Sequence, residues 1–364
     1  MKNFVIIFLV FPLFAFAQES DKIESVKDQD TIITEKALKI VPLITSSPLL
    51  GFGFGAAVSF LYDTDEGSSK SQLSAGGQYS VTESFTMFAN NKAFFKGNKI
   101  RSNTNTSFAS INNEFESDVQ DVSYNVRTLI LSEILMFQIV KHSYLGGFVS
   151  YKQVVYDPNN TGGTDFLFNN GVVDETTGGI GIAYSFDTRK NKYFPSEAWL
   201  INLGINNYPS WLGAVQNYFQ FILNARYYNN GFRDGDVWAW QLYGQFSSKK
   251  TTDNGLPTLS GKSLLRGFPA GQYKALYMTG VQSEYRYQIV NSRFRLVSFA
   301  GLANLAGGSF GDDGNSRDDD GWYSNFGIGG RYSIQPKTGV DLRLDLVVTS
   351  KGDKALYLKL NQAF

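Results

Sequence analysis

The chain has 364 residues with 33 basic and 33 acidic side chains, so no net charge draws it to nucleic acid or acidic lipid. It has no cysteine, which removes thiol chemistry and thiolate metal sites. Charged residues make up 18%, and a mean hydropathy of −0.19 is far too polar for a bundle of membrane helices. Rich in Tyr, Phe and Gly but without long apolar blocks, the composition fits a transmembrane β-barrel, whose strands alternate lipid-facing and lumen-facing residues. A soluble β-sandwich or propeller shares much of that profile.

Met1-Lys2-Asn3 gives a basic start, Phe4 to Phe14 an apolar run, and Ala15-Phe16-Ala17 small residues suited to cleavage before Gln18. The run is too short to span a bilayer as a helix, so residues 1–17 are read as a cleaved signal peptide. Residues 18–35 are polar, charged and aromatic-free, the composition of a disordered periplasmic tether. Residues 36–364 are read as the barrel.

From Lys36 onward the hydrophobic period is two. Phe52, Phe54, Val58 and Phe60 alternate with Gly53, Gly55, Ala57 and Ser59. Later, Leu342, Leu344, Leu346 and Val348 oppose Asp341, Arg343 and Asp345. The segments run about ten to fourteen residues, longer than the usual soluble strand and enough to cross a bilayer at a tilt. About sixteen are predicted, the last over 354–364, and an even number suits an outer-membrane barrel with both termini on one side. Short connections (97–98, 229–235, 291–292, 336–338) and longer ones rich in Gly, Asn and Asp (112–121, 158–173, 248–274, 305–320) match periplasmic turns and outer loops. Asp312-Asp313-Gly314-Asn315 and Asp318-Asp319-Asp320 match no EF-hand spacing and are read as solvated loop; no metal or other cofactor is expected. In the final segment Leu356, Leu358, Leu360 and Phe364 share one face, the pattern of a C-terminal barrel signal, although Gln362 stands where an apolar residue is usual.

Within the long interval 248–274 lies Leu265-Arg266-Gly267-Phe268. Asp187-Thr188-Arg189 is followed by Tyr193-Phe194-Pro195, Glu284-Tyr285-Arg286 falls in the next strand after the interval, and Gly327-Ile328-Gly329-Gly330-Arg331 precedes the last hairpin. In that order these motifs resemble the BamA/TamA family of outer-membrane barrels over essentially residues 36–364. The resemblance implies that the loop after the eleventh strand folds into the lumen and that Glu284 faces Arg266. An unpaired buried guanidinium is costly, so an Arg266–Glu284 pair is expected to fix the loop, with Gly267 allowing the tight backbone and Phe268 packing on the wall. Arg286, Arg331, Asp341, Arg343 and Asp345 are expected to face the lumen, as are Arg127, Glu133, Arg226 and Lys359. The family's second inward acid, in a Phe-x-Asp-x-Gly pattern, is replaced by Gly301 in Phe299-Ala300-Gly301, with Asp341 or Asp345 as substitutes. Family members that insert or secrete proteins carry periplasmic POTRA domains, and the tether leaves no room for one.

The resemblance implies an outer-membrane protein that assists insertion, assembly or translocation of outer-membrane or surface components without chemical catalysis. Its first and last strands would form a lateral gate, and an unpaired edge would template an incoming strand. Implied partners are outer-membrane lipids and either nascent outer-membrane proteins or an assembly subunit, not nucleic acid; a homodimer is left open. The alternative is a passive, largely plugged channel or structural barrel. An enzyme is disfavoured: the single histidine, His142, falls at a turn, and no HExxH, GxSxG or phosphate-binding loop occurs.

Overall fold

The computed structural model describes residues 38–47, 51–116, 120–169, 171–189, 194–261, 263–268, 272–308, 319–335, 340–360 and 362–364. The signal-peptide and tether readings, Tyr193 and the Asp312 to Asp318 stretch lie outside them. Strands β1 (Leu38–Ser47), β2 (Gly51–Tyr62), β3 (Ser71–Ser80), β4 (Phe85–Phe95), β5 (Ile100–Glu116), β6 (Asp121–Val140) and β7 (Ser143–Pro158) come first. Helix α1 (Thr161–Asn169) precedes β8 (Glu175–Asp187), β9 (Ala198–Tyr208), β10 (Tyr218–Asn230) and β11 (Val237–Ser247). After the long loop 248–276 come β12 (Tyr277–Gln288), β13 (Phe294–Ala306), β14 (Gly321–Gln335), β15 (Val340–Thr349) and β16 (Lys354–Leu360).

All sixteen strands form one antiparallel sheet in sequence order. It rolls until β1 and β16 lie side by side, but among the described residues no ladder of hydrogen bonds joins them. Alternation then sets the two surfaces. Phe52, Phe54, Val58 and Phe60 point outward and are exposed, while Ala57 and Ser59 between them are buried. On β15 the exposed Leu342, Leu344, Leu346 and Val348 alternate with buried Asp341, Arg343 and Asp345. An apolar outer belt around a polar interior is the inverse of a soluble protein and is what a surrounding bilayer stabilises. No described helix is long and apolar enough to cross a membrane.

Three features depart from the sequence reading. Helix α1 interrupts the loop after β7; Asn160 caps it by accepting from Gly163 N–H at 2.7 Å, and Phe166 stacks on Tyr124. A first turn of Thr-Gly-Gly offers no helical periodicity, so the cap was the only local signal. Strand β16 stops at Leu360, and the chain turns inward: Phe364 is buried against Ala198, Tyr228, Val237 and Ala239 and does not share the outward face of the exposed Leu356. The cause is visible at Gln362, which would be unsatisfied against lipid but inside donates to Asp341 at 2.6 Å and accepts from Arg331 Nε at 3.3 Å. The side chains of Leu358, Lys359 and Leu360 lie outside the description. Finally, Arg127 and Glu133 face outward, because pairing aligns them with the outward side of β5 and β7, whereas Ile130 and Ser132 line the lumen.

Candidate functional site: a loop fixed inside the barrel

The loop between β11 and β12 spans the lumen from wall to wall. Near its start, Thr252 and Asn254 donate to the Glu175 carboxylate of β8 at 2.7 and 2.8 Å, and Lys152 of β7 donates to the Asn254 carbonyl at 2.9 Å. Its two limbs are joined by a bridge between Thr258 and Lys274 and by a 2.5 Å pair of Lys274 with Asp253. Ser263 bonds back to the Thr258 carbonyl at 2.9 Å, giving the tip its own folded shape. Between loop, β6–β8 and β9–β11 a cavity of about 310 Å³ remains, lined by Lys152, Glu175, Tyr208 and Tyr218 among others.

Leu264 and Leu265, both essentially inaccessible, come next. Each fits a place where the opposing strand has no side chain. A Cβ at Gly280 would lie 2.4 Å from Leu264 Cδ2, and a Cβ at Gly301 would lie 2.4 Å from Leu265 Cδ2. Gly301, where the resemblance leads one to expect an acid, is therefore a socket for a leucine. An inward glycine in a strand marks a close approach, and that was the signal in the sequence for both contacts.

Arg266, 3% exposed, then meets two carboxylates. Its Nη2 lies 2.8 Å from Glu284 Oε2 on β12 and its Nη1 2.8 Å from Asp345 Oδ2 on β15. Of the two candidate acids it is Asp345 that takes this place; Asp341 instead pairs with Arg295 at 2.8 Å. The guanidinium lies 3.4 Å from the centre of the Phe299 ring, so one face is covered by a π-system. Its carbonyl accepts from Asn325 Nδ2 at 2.8 Å. Gly267 follows at φ 98°, a left-handed conformation, and any Cβ there would be 2.5 Å from Thr349 Cγ2. Its N–H donates to the Tyr357 hydroxyl of β16 at 3.1 Å. Phe268 packs edge-on against Tyr273 and Tyr323 at 5.6 and 5.7 Å. Burial there pushes the Tyr273 phenol above its usual range, with Asp353 and Asp319 adding to the effect.

The charges continue behind Arg266. Arg286 Nε lies 2.8 Å from Glu284 Oε1, Arg331 Nη1 2.5 Å from Asp345 Oδ1, Arg331 Nη2 3.6 Å from Glu284 Oε2, and Arg343 Nε 3.3 Å from Asp345 Oδ2. Arg286 also donates to the Phe364 carbonyl at 2.8 Å, coupling the inturned tail to the same network. Pairing registers bring these residues together: Arg286, Val297, Gly329, Asp345 and Tyr357 stand opposite one another across β12 to β16. Nearby, Arg189 is bidentate to Asp187 at 2.9 and 3.0 Å, and Arg295 lies 4.3 Å over the ring of Phe194. The sequence reading named the charged members around Arg266. It did not name Arg295 or Asn325, and it gave no role to Phe299, Tyr357, the glycine sockets or Gln362. His142 lies at the exposed turn between β6 and β7, and among the described residues no group of His, Asp and Glu could hold a metal ion.

No protein-family model matches the sequence, and no curated protein matches it. Solved structures match the fold. BamA from Haemophilus ducreyi lacking POTRA domains 1–3 aligns with a TM-score of 0.59 at 14% identity, over 90% of this chain and 70% of that one. CdiB from Escherichia coli gives 0.64 at 12% identity, and CdiB from Acinetobacter baumannii 0.61 at 11%. The alignments cover 90% and 89% of this chain but only 63% and 59% of the two CdiB chains. This chain thus has the fold of the BamA- and CdiB-type barrels.

Proposed function

We propose that this protein sits in an outer membrane and assists the insertion, assembly or translocation of other outer-membrane or surface components, without a chemical step. The observation that carries the reading is the seam. Every strand from β2 to β15 is paired on both sides, whereas among the described residues β1 and β16 adjoin without a ladder. β16 pairs with β15 over seven residues only. An unpaired edge inside an apolar belt is a template for an incoming strand, supplying main-chain hydrogen bonds that lipid cannot. Pro42 in β1 removes one donor from the strand that forms this edge.

In this reading the loop is the part that sets the state of the seam. Arg266 ties it to β12 and β15, and Gly267 ties it to β16 through Tyr357, so a movement of the loop is felt directly at the last strand. Partners on this account are nascent outer-membrane strands, an assembly subunit and the surrounding lipid.

The test is a depletion strain complemented with wild type or Arg266→Ala, scored for levels and surface exposure of outer-membrane proteins. Depletion is expected to lower a subset of barrel proteins, and the folded Arg266→Ala barrel to fail to restore them. An unchanged outer-membrane profile on depletion would remove the assembly reading and leave a plugged barrel.

A further inference from the structure

The outward wall of β4–β6 does not match the rest of the apolar belt. Pairing fixes the direction of each side chain: exposed Leu73 stands opposite Asn91, Asn91 opposite Thr104, Thr104 opposite Glu133, and Glu133 opposite exposed Val149. This row therefore faces outward. Along β6, Glu133 lies between Leu131 and Leu135, each 40% exposed, with Phe137 and Ile139 further on. Beside it, β5 presents Ser102, Thr104 and Thr106, and Ala75 pairs with Ala89 on β3 and β4. Asn91 already accepts from the Tyr62 hydroxyl at 2.7 Å.

A carboxylate on a lipid-facing wall is costly and marks a functional contact by default. Here Glu133 accepts from Ser102 Oγ at 2.7 Å and from the Thr104 hydroxyl, and among the described residues no Lys or Arg pairs with it. Lipid chains offer no donor for the lone pairs that remain. The patch itself does: it carries hydroxyl donors and a carboxylate acceptor within three adjacent strands, and its small side chains allow close approach.

We infer that the β4–β6 wall is an interface at which a second copy of this chain packs inside the membrane about a two-fold axis. Such an axis requires a surface complementary to itself, and a hydroxyl beside a lone carboxylate is that: with the Ser102 and Thr104 protons already given to Glu133 of their own chain, Glu133 of one copy accepts from the Thr106 hydroxyl of the other. The inference rests on this wall lying in a bilayer, not on the assembly role. It places contact three strands or more from the seam, leaving β1 and β16 free in both copies.

Because the chain lacks cysteine, single cysteines report contacts without background. Thr106→Cys and, as a control on the outward face of β9, Ile205→Cys are oxidised in intact membranes. The expected result is a disulfide-linked species of twice the chain mass for Thr106→Cys and none for Ile205→Cys. Sedimentation of purified wild type in detergent is expected to give a dimer, and Glu133→Leu to lower the dimer association constant by about tenfold, one hydrogen-bonded contact's worth in a membrane. Equal cross-linking at the two positions overturns the inference, as does a Thr106→Cys product of another mass, which would assign the wall to a different protein.

Discussion

At the scale of single residues, Arg266 meets two carboxylates, and each of those carboxylates meets two further guanidiniums. If it is removed, Glu284 keeps Arg286 at 2.8 Å and Asp345 keeps Arg331 at 2.5 Å, so neither carboxylate is orphaned. Arg266→Ala is expected to lose about 1.5–3 kcal/mol, the worth of charged hydrogen bonds. Asp345→Ala or Glu284→Ala leaves buried guanidiniums facing one another and is expected to lose more, about 3–5 kcal/mol. Urea unfolding in detergent, followed by the heat-dependent shift of the folded barrel on gels, checks that order; equal losses would mean that the network is not shared as the distances imply. Arg266→Lys should not restore function, since a point charge cannot bridge two carboxylates while lying flat on Phe299. Gly301→Asp, which restores the acid expected from the resemblance, is expected to harm the site. Its Cβ would meet Leu265 Cδ2 at 2.4 Å, and overpacking of this kind costs about 1–3 kcal/mol. Faster proteolysis of the loop over 248–276 in that variant is the readout.

Among the elements, β16 is the weakest part of the wall. It has seven paired residues on one side and, among those described, no ladder on the other, whereas β12 to β14 are paired over ten or more positions on each side. Amide exchange is therefore expected to be fastest for 354–360 and slower by orders of magnitude for β12 and β13, because local opening there must break two ladders. Uniform protection across β16 would close the seam and with it the argument for an edge. The inturned tail adds a second expectation. Phe364→Ala empties a site walled by Tyr228, Val237 and Ala239 and should cost about 3 kcal/mol at most, the lower end for a buried aromatic, since the tail end can collapse into the space. Protection of β16 should fall in the same variant, while that of β12 should hold.

For the molecule as a whole, the loop decides what the barrel transmits. It crosses from Glu175 on one wall to Glu284 and Asp345 on the other, so wild type in a planar bilayer is expected to conduct little. Arg266→Ala should show larger and more frequent openings; steady large conductance from wild type would favour a simple channel. The sequence by itself determined the class of fold. Period two in segments of about ten residues, an even number of them and glycine-rich connections follow from crossing a bilayer with every backbone group paired, and each is a local property. That Arg266 faces Glu284 was implied by the family resemblance that the order of the motifs carries, and the structure shows the pair at 2.8 Å. Tertiary structure alone decided three things. Asp345 and not Asp341 meets Arg266, a contact between residues 79 apart in sequence that only the register of β12 to β15 can fix. Phe364 turns inward, because the strand's fate depends on what waits in the lumen for Gln362 and not on the alternation of its leucines. And Glu133 faces outward: β6 carries apolar residues on both faces, Ile130, Ile134 and Met136 inward and Leu131 and Leu135 outward, so period two has no sign there until the neighbouring strands supply one.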